Sequence, residues 1–143
     1  MDELLTRTIT LKCDVEHAFD VFTTKIDLWW PRAHRKTSDG SLRLQPVSGG
    51  ALIDYAPDGQ EWRMAEVAEI DPPGLLKLDW YPGSPAAPTS VEIRFAPLGD
   101  GTAVTVTHRP LLETRSIWPR RVALFIEGWK AVLPAFKRFI EED

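Results

Sequence analysis

Cysteine is almost absent: Cys13 is the only one in 143 residues. No intramolecular disulfide can form, which fits a reducing compartment. Long hydrophobic runs are missing as well. No uncharged stretch approaches the ~20 residues needed to cross a bilayer. The opening segment, MDELLTRTITLKC, starts acidic and then alternates. A secretory signal would start basic and continue apolar. The expectation is a cytoplasmic protein with no membrane span. Metal-ligand spacings of His, Cys, Asp and Glu are lacking, so no metal is expected. Glycine-rich phosphate loops are lacking too. Gly49-Gly50 does not have the spacing of a dinucleotide fingerprint, and Gly99-Asp100-Gly101 reads as a hairpin turn. With no nucleophile elbow either, the expectation is no cofactor. The net charge is −4, and no extended basic groove or recognised module is present, which argues against nucleic acid as a partner.

What the chain does have is a soluble globular composition, 43% apolar and 27% charged. A chain of this length buries roughly two-thirds of its unfolded surface and needs no staples. No internal repeat, linker or low-complexity tract divides it, so one domain over residues 1–143 is expected. The unusual entries are 6 Trp and 12 Pro. Two of the tryptophans, Trp29 and Trp30, are adjacent. Neighbours on a helix face different directions, so the two indoles need different surroundings.

Residues 4–13 alternate, with Leu5, Ile9, Leu11 and Cys13 on one face, which predicts a half-buried strand with Arg7 near its rim. Asp14 suits an N-cap, followed by a helical stripe of Val15, Ala18, Phe19 and Phe22. Thr23 or Thr24 is expected to cap a second short helix over about 25–30, ended by Pro31. A polar loop over 32–41 follows. After it come about six strands separated by turn signals, including a Pro/Ala loop at 82–88. Short turns between alternating strands predict an antiparallel meander. The strand at 60–70 breaks parity, because Met64, Val67 and Ile70 cannot share a face. A bulge near Glu66 would reconcile them.

The last element is a long helix from Pro119 to about Glu142. Its broad apolar face includes Val122, Phe125, Ile126, Trp129, Val132, Leu133, Phe136 and Ile140. Gly128 and Pro134 weaken it, and a kink is expected near 130–134. The fold class that satisfies every stripe is α+β: a strongly curved antiparallel sheet of about seven strands with one helix across its concave face. A helix of ~10 Å diameter cannot fill a broad curved sheet, so the remaining volume is either closed by large side chains or left as a cavity.

In this order, several marks resemble the START-like (SRPBCC) helix-grip superfamily. They are WWP at 29–31, GG at 49–50, PDG at 57–59, EVAEIDPPGLLKLDW at 66–80, VEIRFAPLGDGTAVTVTHR at 91–109 and GW at 128–129. More narrowly, the chain is similar to the branch named for the activator of the heat-shock chaperone ATPase. The resemblance implies a seven-stranded sheet gripping the C-terminal helix, with a cavity between them. It does not imply one activity. Members include lipid and polyketide binders, aromatase/cyclases, chaperone activators and resistance proteins. Eukaryotic chaperone activators carry an additional N-terminal domain, which the 143 residues are not expected to accommodate.

Three functions are compatible with these residues. The first is binding of a small hydrophobic or aromatic molecule, with Phe22, Trp29, Trp30, Met64, Trp80, His108, Phe125, Trp129 and Leu133 as the candidate lining. One of Trp29 and Trp30 would enter the cavity while the other packs the helix. The second is a cyclase- or hydrolase-type enzyme using His108 with Asp54 or Glu66, since inward strand parity would place such groups in a dry pocket. The third is a chaperone-associated domain that binds a protein partner. Two basic clusters, Arg32/His34/Arg35/Lys36 and Arg109/Arg115/Arg120/Arg121, are expected to flank the entrance and attract an anionic ligand.

Overall fold

The computed structural model describes residues 4–81 and 88–142. The first strand, β1 (Leu5–Leu11), leads into helices α1 (Val15–Thr24) and α2 (Ile26–Trp29). A 3-10 turn at Arg32–His34 follows. Then come β2 (Ser41–Leu44), β3 (Ala51–Tyr55), β4 (Glu61–Asp71), β5 (Leu75–Trp80), β6 (Thr89–Leu98) and β7 (Gly101–Pro110). A second 3-10 turn at Leu112–Thr114 precedes the long helix α3 (Trp118–Glu141). All seven strands form one curled antiparallel sheet, in the order β1-β7-β6-β5-β4-β3-β2, with α3 against its concave face. The expected Pro/Ala loop at 82–88 lies outside the described residues except for Pro88. No helix among the described residues is long and apolar enough to cross a membrane.

Alternation explains the inner face. Val91, Ile93 and Phe95 on β6 are buried, as are Val104, Val106 and His108 on β7. β4 departs from alternation at two places. Leu52 and Ile53 oppose Ala65 and Arg63, which leaves Met64 as an extra residue. Val67 and Glu69 oppose Leu78 and Lys77, which leaves Ala68 extra. Two bulges therefore flank Glu66 where one was expected. They let Met64, Ala65 and Val67 all be buried and leave Ile70 half-buried. They also bend the strand, which helps the sheet curl around α3.

Asp14 caps α1 as expected, its carboxylate accepting from the His17 amide at 2.8 Å. The expected cap of α2 is corrected. Thr23 and Thr24 are the last residues of α1, and their hydroxyls donate back to the Phe19 and Asp20 carbonyls. α2 has no side-chain cap. It is held instead by Arg35, whose side chain is only 2% exposed. The Arg35 guanidinium donates to the Asp27 carboxylate, the Asp27 carbonyl and the Trp30 carbonyl, each at 2.7 Å. The Asp27 carboxylate also accepts from the Leu42 amide of β2 at 2.8 Å. Burial alone would raise the Asp27 carboxyl, but the Leu42 amide and the Arg35 guanidinium outweigh it and hold the group below its ordinary range.

α3 begins one residue earlier than predicted, at Trp118, with Pro119 in its first turn. Its 24 residues span about 36 Å and run without a break through Pro134. The carbonyl that Pro134 leaves without a helical donor belongs to Lys130, and both residues lie on the exposed face, where water can serve that carbonyl.

Candidate functional site

The C-terminal half of α3 closes against a dense aromatic cluster. Phe22 lies 5.2 Å from Phe136, 5.0 Å from Trp29 and 5.7 Å from Phe95, centroid to centroid. Trp29 also packs 4.8 Å from Phe136, and its indole N–H donates to the Val21 carbonyl at 2.9 Å. Leu133 is buried on the same helix, and Met64 is buried at its bulge. These residues fill space.

The N-terminal half of α3 leaves space open. A cavity of about 150 Å³ lies there between helix and sheet. The corner after α2 contributes Trp30 and His34, and β5 contributes Trp80. α3 contributes Leu124, Phe125, Gly128, Trp129 and Val132. Three indoles from three separate elements meet around it. Their centroids are 5.9 Å apart for Trp30–Trp80, 6.2 Å for Trp30–Trp129 and 6.0 Å for Trp80–Trp129. Gly128 matters to the volume, because a methyl group at that position would meet nothing within 4 Å. Three larger hollows, of about 350, 420 and 440 Å³, lie elsewhere on the surface. The first is bounded by α2 and α3 alone, the second by strand-end turns and the start of α1, and the third by the chain around Cys13 and the end of α3. None of the three brings tryptophans together from the sheet and α3.

The adjacent tryptophans thus have separate duties. Trp29 belongs to the closed cluster and Trp30 to the cavity wall, where its N–H donates to the His34 carbonyl at 3.1 Å. Of the nine residues expected to line a site, Trp30, Trp80, Phe125 and Trp129 reach this cavity. Phe22, Trp29, Met64, His108 and Leu133 do not line it. His34, Leu124, Gly128 and Val132 line it without having been among the nine. The signal available for them was position: Gly128 and Val132 flank Trp129 on the helix, and a helix-interior glycine needs a reason.

His108 is fully buried behind Phe125, whose ring centroid is 4.2 Å away, and beside Trp118 at 5.3 Å. The Trp129 indole N–H donates to its Nδ1 at 3.1 Å. Nδ1 is therefore unprotonated, and Nε2 carries the proton that it shares with the Thr89 hydroxyl at 2.7 Å. The Thr89 hydroxyl in turn donates to the Trp80 carbonyl at 3.4 Å. Burial lowers the imidazole pKa to about 3, so the ring is neutral near pH 7. Both ring nitrogens are occupied by protein partners.

The two carboxylates considered with His108 lie apart from it. Asp54 is on the inner face but four strands away, roughly 19 Å along the sheet at about 4.8 Å per strand. It is fully buried, accepting from the Thr37 amide at 3.0 Å and the Thr37 hydroxyl at 2.8 Å. Glu66 faces outward opposite Asp79, whose carboxyl is pushed up by burial and by the Glu66 charge. The structure does not bring these groups together. The basic clusters also need correcting as an entrance. Arg35 is consumed by the α2 corner, Arg32 donates to the Ser38 and Gly40 carbonyls, and of all eight residues only His34 lines the cavity. Cys13 is half-buried, and burial with nearby Asp14 and Glu141 raises its thiol pKa, which leaves it a poor nucleophile. Among the described residues, no group of three His, Cys, Asp or Glu could hold a metal ion.

Comparison with known proteins places this geometry in a family. No curated protein matches the sequence. Among solved structures, the chain is similar to DynU16 from the dynemicin biosynthetic locus. The identity is 18% and the TM-score 0.72, over 99% of this chain and 48% of that one. The chain thus spans about half the length of DynU16. It is also similar to the Aha1 dimer from Colwellia psychrerythraea, with 19% identity and TM-score 0.69 over 96% of each chain. A third likeness is to Txn09, an anthrahydroquino-gamma-pyrone synthase solved as a complex, with 26% identity and TM-score 0.62 over 98% of each. The family model that matches covers residues 12–141, nearly the whole helix-grip unit, and the chain belongs to the Activator of Hsp90 ATPase homolog 1-like family.

Proposed function

We propose that this protein binds a small hydrophobic or aromatic molecule in the cavity between the sheet and α3. The observation that carries this reading is the triangle of indoles. Trp30, Trp80 and Trp129 converge from a loop corner, a strand and a helix, yet leave about 150 Å³ unfilled. Aromatic side chains favour offset or tilted contact with flat rings and offer a large apolar area. An open, mostly apolar concavity with few polar groups is the usual form of a small-molecule site. The helix-grip fold is compatible with ligand binding, and Txn09, at 26% identity, is itself named as an anthrahydroquino-gamma-pyrone synthase. The enzyme reading through His108 gains no support, because its ring nitrogens are engaged and neither Asp54 nor Glu66 approaches it.

The test is titration with toluene and other flat apolar compounds, following tryptophan emission and thermal unfolding. A specific ligand at 100 times its dissociation constant should add about 2.7 kcal/mol of stability. Gly128→Leu, which fills the cavity from α3, should abolish the emission change while the protein stays folded. A flat response to every compound in the wild-type protein overturns the proposal.

A further inference from the structure

Trp129 sits in the cavity wall, and its indole carries a single N–H. That proton goes to His108 Nδ1 at 3.1 Å. Histidine is a costly choice for this place on β7. The residue is fully buried, and the rings of Phe125 and Trp118 pack on it. A leucine could fill such a site without burying two polar nitrogens. The imidazole does what a leucine cannot: it accepts at one nitrogen and donates at the other.

The polar links run in one direction. The Trp129 N–H of α3 donates to His108 Nδ1 on β7. His108 Nε2–H donates to the Thr89 hydroxyl on β6 at 2.7 Å, and that hydroxyl donates to the Trp80 carbonyl on β5 at 3.4 Å. Because an indole nitrogen can only donate, a single tautomer satisfies all three links. The chain ties the helix wall of the cavity to the strand that carries Trp80. Ring packing leaves Trp129 some freedom. Its centroid lies 6.0 Å from Trp80, 6.2 Å from Trp30 and 6.3 Å from His108, toward the long end of aromatic contact, and the adjoining cavity gives the ring room to turn.

Resting on the binding role proposed above, we infer that His108 is a positioning residue of the cavity: by accepting the indole proton at Nδ1 it fixes the Trp129 ring in the wall that a flat guest meets, and Thr89 holds the imidazole in the tautomer this requires. Neither His108 nor Thr89 lines the cavity, so both act on the guest through Trp129. With its one proton spent on His108, Trp129 offers the guest ring area and no donor. A wall fixed in advance spares association the cost of ordering it, and in this way a residue behind the surface raises affinity.

Titration with toluene and naphthalene tests this, together with the NMR signal of the Trp129 indole proton, identified by its loss in Trp129→Phe. In the wild-type protein that proton should exchange slowly with solvent. His108→Leu removes the acceptor. It should speed the exchange and weaken the bound probe by roughly fivefold, the worth of one neutral hydrogen bond. His108→Asn returns an acceptor oxygen near the place of Nδ1 and should bring affinity back to within about twofold of wild type. A residue that merely filled space would give the reverse order, because leucine is closer to histidine in volume than asparagine is. If either His108 variant does not fold, Thr89→Val decides. It takes away the second anchor of the imidazole and should weaken the probe at least about twofold. Wild-type affinity in His108→Leu, affinity in His108→Asn no better than in His108→Leu, wild-type affinity in a deciding Thr89→Val, or fast exchange of the Trp129 proton in the wild-type protein overturns the inference and leaves the binding role in place. A wild-type protein that binds neither toluene nor naphthalene overturns both.

Discussion

The two halves of α3 face the same sheet with the same kind of side chain and reach opposite results. Toward the C-terminus, Phe136 meets Phe22 and Trp29 at centroid distances of 5.2 and 4.8 Å, and the hollow beside them lies on the surface between α2 and α3. Toward the N-terminus, Trp129 meets Trp30 and Trp80 at 6.2 and 6.0 Å, and a cavity remains. One feature separates them: the open half carries Gly128 on the cavity lining, where a methyl group would meet no atom within 4 Å. Anchored ring nitrogens do not separate them, because Trp29 of the closed cluster is tied to the Val21 carbonyl just as Trp30 and Trp129 are tied to His34 and His108. Aromatic content by itself therefore does not make a cavity; a missing side chain does.

The comparison can be broken most strongly at its closed end. Phe136→Ala should cost roughly 3–5 kcal/mol, since the ring is fully buried against two aromatic neighbours, Phe22 and Trp29. Urea unfolding measures it, and a loss under about 1 kcal/mol would mean that this half is as loosely filled as the other. Acid sharpens the comparison at the open end. The unfolded His108 imidazole takes up a proton near 6.5, whereas the folded one resists until about 3. Between those values the unfolded state binds more protons, so stability falls as pH falls, by about 1.4 kcal/mol per unit while the difference lasts. His108→Gln should flatten the slope between pH 6 and 4. Asp27 acts in a lower window: its folded carboxyl is depressed, so its contribution is present above the ordinary aspartate value and lost below it. An unchanged slope in the glutamine variant would show that His108 is not sealed. The smallest effect has the opposite sign. Gly128→Ala should raise stability by roughly 0.5–1 kcal/mol, because the helix interior favours alanine and the methyl meets no atom within 4 Å. The same change should weaken binding of flat probes. A fall in melting temperature would show that Gly128 is there for packing and not for space.

Much of the fold could be read from alternation and stripe. Val91/Ile93/Phe95, Val104/Val106/His108 and the eight-residue face of α3 each point to one buried side, and the curled sheet with a long helix follows from them. Local competition was harder to read. Thr23 and Thr24 fit a cap by type, but they lie in the last turn of α1 and their hydroxyls bond back to its carbonyls. Arg32 and Arg35 read as part of a basic cluster flanking an entrance, yet carbonyls at Trp30, Ser38 and Gly40 draw them into the corner. These partners are set by the loop's path, which periodicity does not encode. The candidate site was legible at its centre, in Trp30, Trp80, Phe125 and Trp129. It was not legible at its edges, because helical parity tells which residues face the sheet but not which of them face another ring and which face a gap.

The corner held by Arg35 has one further consequence. Its guanidinium joins α2, the Trp30 carbonyl and, through Asp27, the first residues of β2 into a rigid bracket. The cavity wall carried by Trp30 is thus already in position before any guest arrives. Association then requires no loop to order itself on that side, so capture there should follow a single kinetic phase whose rate rises linearly with guest concentration.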